Sequence, residues 1–395
     1  MVTILTLNYR KLGVLAAVII IVLIIYKDVV WIYVSNKIEF SDKGFLKNVL
    51  LDQVTYFDNN GKSDCIIPLH DDIMIPGKYA WIPYPVERRH SGPFIIAKNS
   101  GERIKYTNYT FYPLTFNSSF LINNPNICNY AENLTFLIMV HTSMHHFDRR
   151  KALRDTWANP RLLKNHQSRI LFLVGRGKSN IFQKSLEIES EEFKDIIQGD
   201  FIDDYHNLTH KGILGFRWVT TYCENAKFIF KIDDDIFVNI FLVIQELLPK
   251  LNAEHRMIAC RLLLNETIAR DGKFAADLDY FPGYKRSPLQ YCAGPFVLIP
   301  RDIVPEMYEA AKSTPFYWID DFYLFGILPN QIGNVSFHHV ASVNNNEDVA
   351  LKCFQDEKPC TYLAAYTWTQ GIMYKYWESV LFMYKDLVQI YALNV

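Results

Sequence analysis

A β-prone run, Phe-Ile-Phe-Lys-Ile at 228–232, ends directly in Asp233, Asp234 and Asp235. The run reads as a buried strand. Adjacent carboxylates repel one another, and such groups are rarely buried unless paired or bound to a metal. Held rigidly at a sheet edge, they would grip a hard divalent cation such as Mg²⁺ or Mn²⁺ through oxygen. In open α/β sheets, ligands gather at the carboxyl ends of strands, where this triplet lies. The triplet could equally be a solvated turn or the cap of a following helix. An EF-hand is a poor fit, because its loop needs alternating acids and a glycine sixth, and Ile236, Phe237 and Val238 occupy that place.

Around this stretch, strands are expected at 134–140, 170–174, 257–260 and 296–299, and helices at 208–222, 240–251 and 302–311. Strands alternating with helices imply an α/β domain around a largely parallel sheet. The 395 residues suffice for one large or two modest domains, and half are hydrophobic, so a large core is available. A net charge of -1 argues against a polyanion-binding protein, so no nucleic-acid partner is expected. The acidic cluster 187–192 reads as a solvated helix face, and a terminal helix is expected from 371 to 393.

Residues 12–26 form an uninterrupted apolar run, preceded by Arg10 and Lys11. As a helix it spans only ~22 Å, and 29–34, with Trp31 and Tyr33, would extend it into an interfacial belt. A cleaved signal peptide is the alternative, but no small-x-small site follows, which favours an uncleaved anchor. The basic amino side would then lie in the cytosol, with the rest in the lumen. Sequons at Asn108, Asn117, Asn133, Asn207, Asn265 and Asn334 also favour the secretory pathway. The expected division is 1–35 tail and transmembrane anchor, 36–130 luminal stem or accessory region, 131–340 catalytic domain, and 341–395 a C-terminal extension packed on it. Of seven cysteines, Cys353 and Cys360 are close enough to bridge locally, Cys65 and Cys128 would pin the stem, and one is left over.

Two further segments are chemically suggestive. Tyr291-Cys-Ala-Gly-Pro295 places a glycine where backbone could approach a ligand, or simply turn. Trp318-Ile-Asp-Asp321 sets a second acidic pair beside aromatics, either functional or a helix start.

In order, Arg149-Arg-Lys-Ala-Leu-Arg-Asp-Thr-Trp157, Asp200-Phe-Ile-Asp-Asp-Tyr-His-Asn-Leu-Thr-His-Lys211, Lys231-Ile-Asp-Asp-Asp-Ile-Phe-Val-Asn239, Tyr291-Cys-Ala-Gly-Pro295 and Asp320-Asp-Phe-Tyr-Leu-Phe-Gly-Ile327 resemble segments of glycosyltransferase family 31. That family contains the β-1,3-galactosyltransferases and β-1,3-N-acetylglucosaminyltransferases, and the likeness covers about 134–327. It implies a GT-A (Rossmann-like) fold behind a transmembrane helix and stem, anchored as a single-pass type II protein in the Golgi membrane. It also implies a UDP-galactose or UDP-N-acetylhexosamine donor, Mn²⁺ or another divalent cation, a glycan acceptor and inversion in forming a β-1,3 linkage. A homodimer or a hetero-oligomer with another transferase is possible.

By the resemblance, Asp235 and Asp233 are metal ligands and Asp234 holds sugar or ribose hydroxyls. Arg150, Arg154 and Trp157 line the nucleotide site, with Asp203 and Lys211 as further candidates. Inverting transfer needs a base for the acceptor hydroxyl; Asp321 fits by position, with Asp320 in reserve and Trp318 stacking on a sugar. The family's C-terminal histidine ligand falls near Tyr366 here, and His338 or His339 would have to substitute. Asn207 lies inside a site motif and is expected to be unglycosylated, unlike Asn108 and Asn117. The rival readings are a catalytically inactive binding protein of the same fold and a Golgi chaperone for a related transferase.

Overall fold

Leu-Thr-Phe-Leu-Ile-Met-Val-His at 134–141 is apolar at almost every position, so a strand made of it must be covered on both faces. In the computed structural model it is the strand β1 (Leu134–His141), buried throughout. The structure describes residues 119–384, apart from 130, 132–133, 163–165, 178–179, 252–255, 277–279, 282, 357, 359 and 370, together with 94–95 and 105–106. All of them lie within one compact unit, Asp71–Val395. The expected anchor lies outside the described residues, and among those described no helix is long and apolar enough to cross a membrane.

The chain continues through α1 (Phe147–Asp155), β2 (Gln167–Arg176), α2 (Gln183–Phe193), β3 (Ile196–Ile202), α3 (Leu208–Tyr222), β4 (Phe228–Asp233), β5 (Ile236–Val238), β6 (Met257–Leu263) and β7 (Tyr291–Pro300). It ends with α4 (Ile303–Lys312), β8 (Ser336–His339), β9 (Val343–Asn344), α5 (Glu347–Gln355), β10 (Ala364–Tyr366) and α6 (Ile372–Met383). Seven strands form the main sheet in the order β8–β6–β7–β4–β1–β2–β3. All neighbours are parallel except β7, which runs antiparallel to β4 and β6. This is the mixed α/β architecture expected. A second sheet, β9–β10–β5, hangs the C-terminal segment beside the end of β4.

Alternate side chains of β1 feed two separate cores. Phe136, Ile138 and Val140 join Trp157, Phe237, Tyr376 and Trp377, so α6 shares a core with β1. Leu137 and Met139 join Phe216, Trp218, Met307 and Leu324 under α3 and α4.

Several expectations need correction. The helix foreseen over 240–251 breaks into Ile240–Leu242, a π turn over Val243–Leu247 and a 3₁₀ turn over Leu248–Lys250, where Pro249 has no N–H to continue the ladder. Cys128 pairs with Cys223, not Cys65, which lies outside the described residues. Cys260 pairs with Cys292, and Cys353 with Cys360 as expected. Residues 119–129, placed in the stem, belong to this body: Leu121 N–H donates to Gln198 O (2.9 Å), and Trp218 Nε1 donates to Asn123 (2.9 Å). The two-residue strands Phe94–Ile95 and Lys105–Tyr106 pair antiparallel, a trace of the local β structure foreseen there.

Candidate active site

Parallel pairing brings the carboxyl ends of β1 and β4 level, with His141 opposite Asp233. The acidic triplet turns there between β4 and β5. Asp234 N–H donates to His141 O (3.1 Å), and Asp235 O accepts Thr367 N–H (2.8 Å) from the C-terminal segment. Two residues before the first acid, on the same face of β4, Lys231 is fully buried. Its Nζ donates to Asp233 (2.8 Å) and to Gly294 O (2.8 Å). Burial opposes the ammonium charge, but Asp233, Asp320 and Asp321 outweigh it and shift its titration upward.

Asp320 and Asp321 open a helix that passes from Asp320–Phe322 through a π turn, Tyr323–Ile327, to Leu328–Ile332. Such irregular turns recur at functional sites. Asp321 packs against Gly294 so closely that any Cβ there would collide with its carboxylate and with Lys231 Nζ. The glycine of Tyr291–Pro295 is thus needed for close approach, not for a turn. Burial, then the charge of Asp320, pushes the Asp321 carboxyl up to about 8. Burial also raises Asp320 against the pull of Lys231. The acids at 233–235 and the pair at 320–321 therefore share one site, joined through Lys231 and Gly294. His141, 3.8 Å from Asp320, is buried and kept neutral by that burial and by Lys231 and Lys211.

The three acids of the triplet differ in what holds them. Asp234 accepts from Thr142 Oγ1 (2.6 Å) and Arg149 (2.8 Å), and His146 Nδ1 lies 2.7 Å away. Burial alone would raise it, but His146, Thr142 and Arg149 together take it down to about 2. Its oxygens are occupied by the segment after β1, which corrects the expectation that Asp234 is free for sugar or ribose hydroxyls. Asp235 is left short of partners: Arg149 is 3.5 Å away, and burial with the charges of Asp233 and Asp234 lifts its carboxyl to about 6.

The basic segment also needs correction. Arg150 is completely buried, pairs with Glu189 (2.6 Å) and donates to the carbonyls of Ser143 and Met144, bracing the loop that carries His146. Arg154 pairs with Glu189 (2.7 Å) and Asp195 (2.8 Å). Trp157 packs on Phe230 in the core. Their guanidiniums are satisfied by Glu189 and Asp195, so Glu189 is not the solvated acid expected of 187–192. Asp203 and Lys211 pair with each other (2.7 Å); Asp203 also accepts from Gly175 N–H (2.9 Å) and Lys211 donates to Thr142 O. They support the same loop from below. The arginine that reaches the triplet is Arg149, which had no assigned role. His146, Thr142, Lys231 and His141 were likewise missed, since nothing local in sequence sets them apart.

Among the described residues, no group of three His, Cys, Asp or Glu side chains is disposed to cage a metal ion. His338 and His339 lie on β8 at the sheet edge, with β6 and β7 between them and β4, and His339 accepts Leu262 N–H (3.1 Å). Neither substitutes for the missing histidine. Tyr366, near which the family's histidine ligand falls, sits beside the acids: burial, then Asp233, Asp235 and Asp321, pushes its phenol up to about 12. The donor set still fits a cation of the kind bound by one or two carboxylates and completed by substrate phosphates. Asp235 is held only loosely, by Arg149 at 3.5 Å, Asp233 has one oxygen beyond Lys231, and the raised Asp235 and Asp321 mark a site with more acids than cations.

Aromatic side chains surround the acids. Tyr205, whose hydroxyl is shifted upward by burial and by Asp320, Asp321 and Asp233, lies 6.2 Å from Trp318, and the His206 ring lies 4.6 Å from Trp318, tilted by 46°. Tyr291 is pushed up to about 12 by burial and by Asp321.

The family model described as galactosyltransferase matches residues 148–340. Beta-1,3-galactosyltransferase 1 of Mus musculus and of Homo sapiens are each 33% identical over 259 residues, covering 63% of this chain and 78% of theirs. Beta-1,3-galactosyltransferase 5 of Homo sapiens is 34% identical over 192 residues, 48% of this chain and 61% of its own. Among solved structures, the galactosyltransferase LgtC with donor and acceptor sugar analogs aligns with a TM-score of 0.31 at 11% identity, over 62% of this chain and 95% of that one.

Proposed function

Because this chain belongs to the galactosyltransferase family, glycosyltransferase family 31, and is a glycosyltransferase, we propose that it transfers galactose or an N-acetylhexosamine from UDP to the 3-hydroxyl of an acceptor glycan, with inversion, on a GT-A scaffold. The observation that carries this reading is the placement of Asp321. It is a recessed carboxyl with a raised pKa, fixed against Gly294 and linked through Lys231 to the triplet at the end of β4.

The residues divide the chemistry between them. Asp321, once ionised, takes the proton of the attacking acceptor hydroxyl. A base whose pKa lies near the working pH is a strong acceptor that is still ionised often enough to act. Asp320 keeps that pKa high by repulsion, and Lys231 limits the rise. Arg149 lies at the triplet, where a diphosphate leaving group gathers negative charge, and its planar fork suits such oxygens. A divalent cation, Mn²⁺ or another, would be held by Asp235 and Asp233 and would neutralise charge on the diphosphate. Tyr205 and Tyr291 stand beside the acids, with Trp318 next to Tyr205, as an apolar border to the site.

Three disulfides among the described residues suit an oxidising compartment. With the apolar run at 12–26, they support a type II protein whose catalytic domain faces the Golgi lumen. The test is release of UDP from UDP-galactose, UDP-N-acetylglucosamine and UDP-N-acetylgalactosamine, with and without a β-linked acceptor and Mn²⁺. One donor should be consumed in an acceptor-dependent way to give a β-1,3 product. No acceptor-dependent release from any of them would refute the proposal.

A further inference from the structure

The short strand β10 pairs antiparallel with β5, setting Tyr366 opposite Ile236, the residue after Asp235. The next backbone N–H, of Thr367, is tied to Asp235 O, so this segment forms the rim just beyond the acids. Trp368 then emerges from the rim, 57% exposed, the most exposed tryptophan among the described residues. One face of its ring is stacked on Tyr366 (centroids 4.6 Å apart, planes 15° from parallel). Its indole N–H donates to Asn345 O (3.3 Å). Thr369 holds the far side of the rim, donating through its N–H and its hydroxyl to Glu347, both at 2.6 Å.

The indole N–H has its acceptor, one face is covered, and both contacts hold the ring in place. What remains is one rigid, wet, apolar face beside a sugar-transfer site, with the exposed side chain of Asn345 next to it. A hexose ring presents a patch of C–H groups on one face and hydroxyls around its edge. An aromatic face flanked by an amide meets both, and a preordered ring loses little entropy on binding. A nucleobase would also stack, but it is tethered to the diphosphate at the triplet and leaves the outer rim to the other substrate.

We propose that Trp368, backed by Tyr366 and flanked by Asn345, is the platform on which a hexose of the acceptor glycan stacks. The proposal rests on the transferase reading and gives that site its acceptor side. It makes Trp368 a binding residue and gives it no part in the chemical step.

The test uses the full chain with the donor it consumes, a di- or trisaccharide acceptor, and the variants Trp368→Ala and Trp368→Phe. Trp368→Ala should raise acceptor KM about tenfold, at the low end of the cost of one lost apolar contact in a specificity pocket. It should leave kcat and acceptor-independent donor hydrolysis unchanged, and Trp368→Phe should recover most of the loss. An unchanged acceptor KM in Trp368→Ala, or an equal fall in donor hydrolysis, overturns the platform while the transferase reading stands. Absence of acceptor-dependent transfer by the unaltered chain overturns that reading, and the platform with it.

Discussion

Gly294 and Asp321 are packed so tightly that a single methyl group on the glycine would occupy the carboxylate's place. Gly294 O also holds Lys231, which holds Asp233, so this contact sets the spacing between the acidic pair and the triplet. Gly294→Ala should therefore displace Asp321 and lower transfer about a hundredfold, the usual cost of a ~1 Å misplacement. UDP affinity, measured by titration calorimetry, should be kept. Wild-type turnover in Gly294→Ala would show that the base is not positioned here.

The pH dependence follows from Asp321. Its carboxyl is raised to about 8, so at neutral pH it is largely protonated and unable to accept a proton. On this basis kcat/KM should climb with pH and level off above about 8. Stability should move the other way. A carboxyl whose folded pKa exceeds its unfolded value, about 4, binds its proton more tightly in the fold, so its contribution is lost as pH rises through that window. Asp235, raised to about 6, adds to the trend at lower pH. Rate profiles and melting curves across pH 5 to 9 check both; a rate that is flat over this range contradicts the assignment.

Glu189 anchors Arg150 and Arg154 together. Glu189→Gln leaves the fully buried Arg150 without its carboxylate partner, while Arg154 keeps Asp195, and should cost about 3–5 kcal/mol in denaturant unfolding. If these arginines are braces, UDP affinity of the protein that remains folded should not change. A selective loss of UDP binding with unaltered stability would return them to the nucleotide site.

Much of this was legible in the sequence. The apolar runs at 134–140, 170–174 and 228–232 read as buried strands and lie in β1, β2 and β4, and the helix Leu208–Tyr222 was read to its ends. β3 was missed because Gln198 and Gly199 interrupt its apolar run, although both are buried by the neighbouring segments. β7 was read as beginning after Pro295, because glycine and proline mimic a loop; here they lie within a strand, Tyr291–Pro300, that must approach Asp321. Charge was the least legible property. A basic run and an acidic run each look solvated when read alone, and only the fold shows that Arg154 and Glu189, 35 positions apart, neutralise each other. The meeting of Asp233, Asp235 and Asp321 could be reached through family likeness, whereas Arg149, His146 and Lys231 required the packing itself.

The same packing bears on glycosylation. Asn207 Nδ2 donates to Ile202 O (2.9 Å), and the hydroxyl of Thr209, the third residue of its sequon, is buried against Tyr317 O. Asn265 is exposed at a left-handed turn. Glycopeptide mapping of chain made in a secretory host should find Asn265 occupied and Asn207 bare. Occupied Asn207 would mean that this loop is accessible during modification and would contradict the geometry described.

The most direct test of the account is the paired measurement of transfer rate and UDP affinity in Asp321→Asn. Removing the base while preserving shape should lower kcat about 10²–10⁴-fold and leave UDP affinity as it was. Full transfer activity in that variant would contradict the role given to Asp321 and the reading built on it.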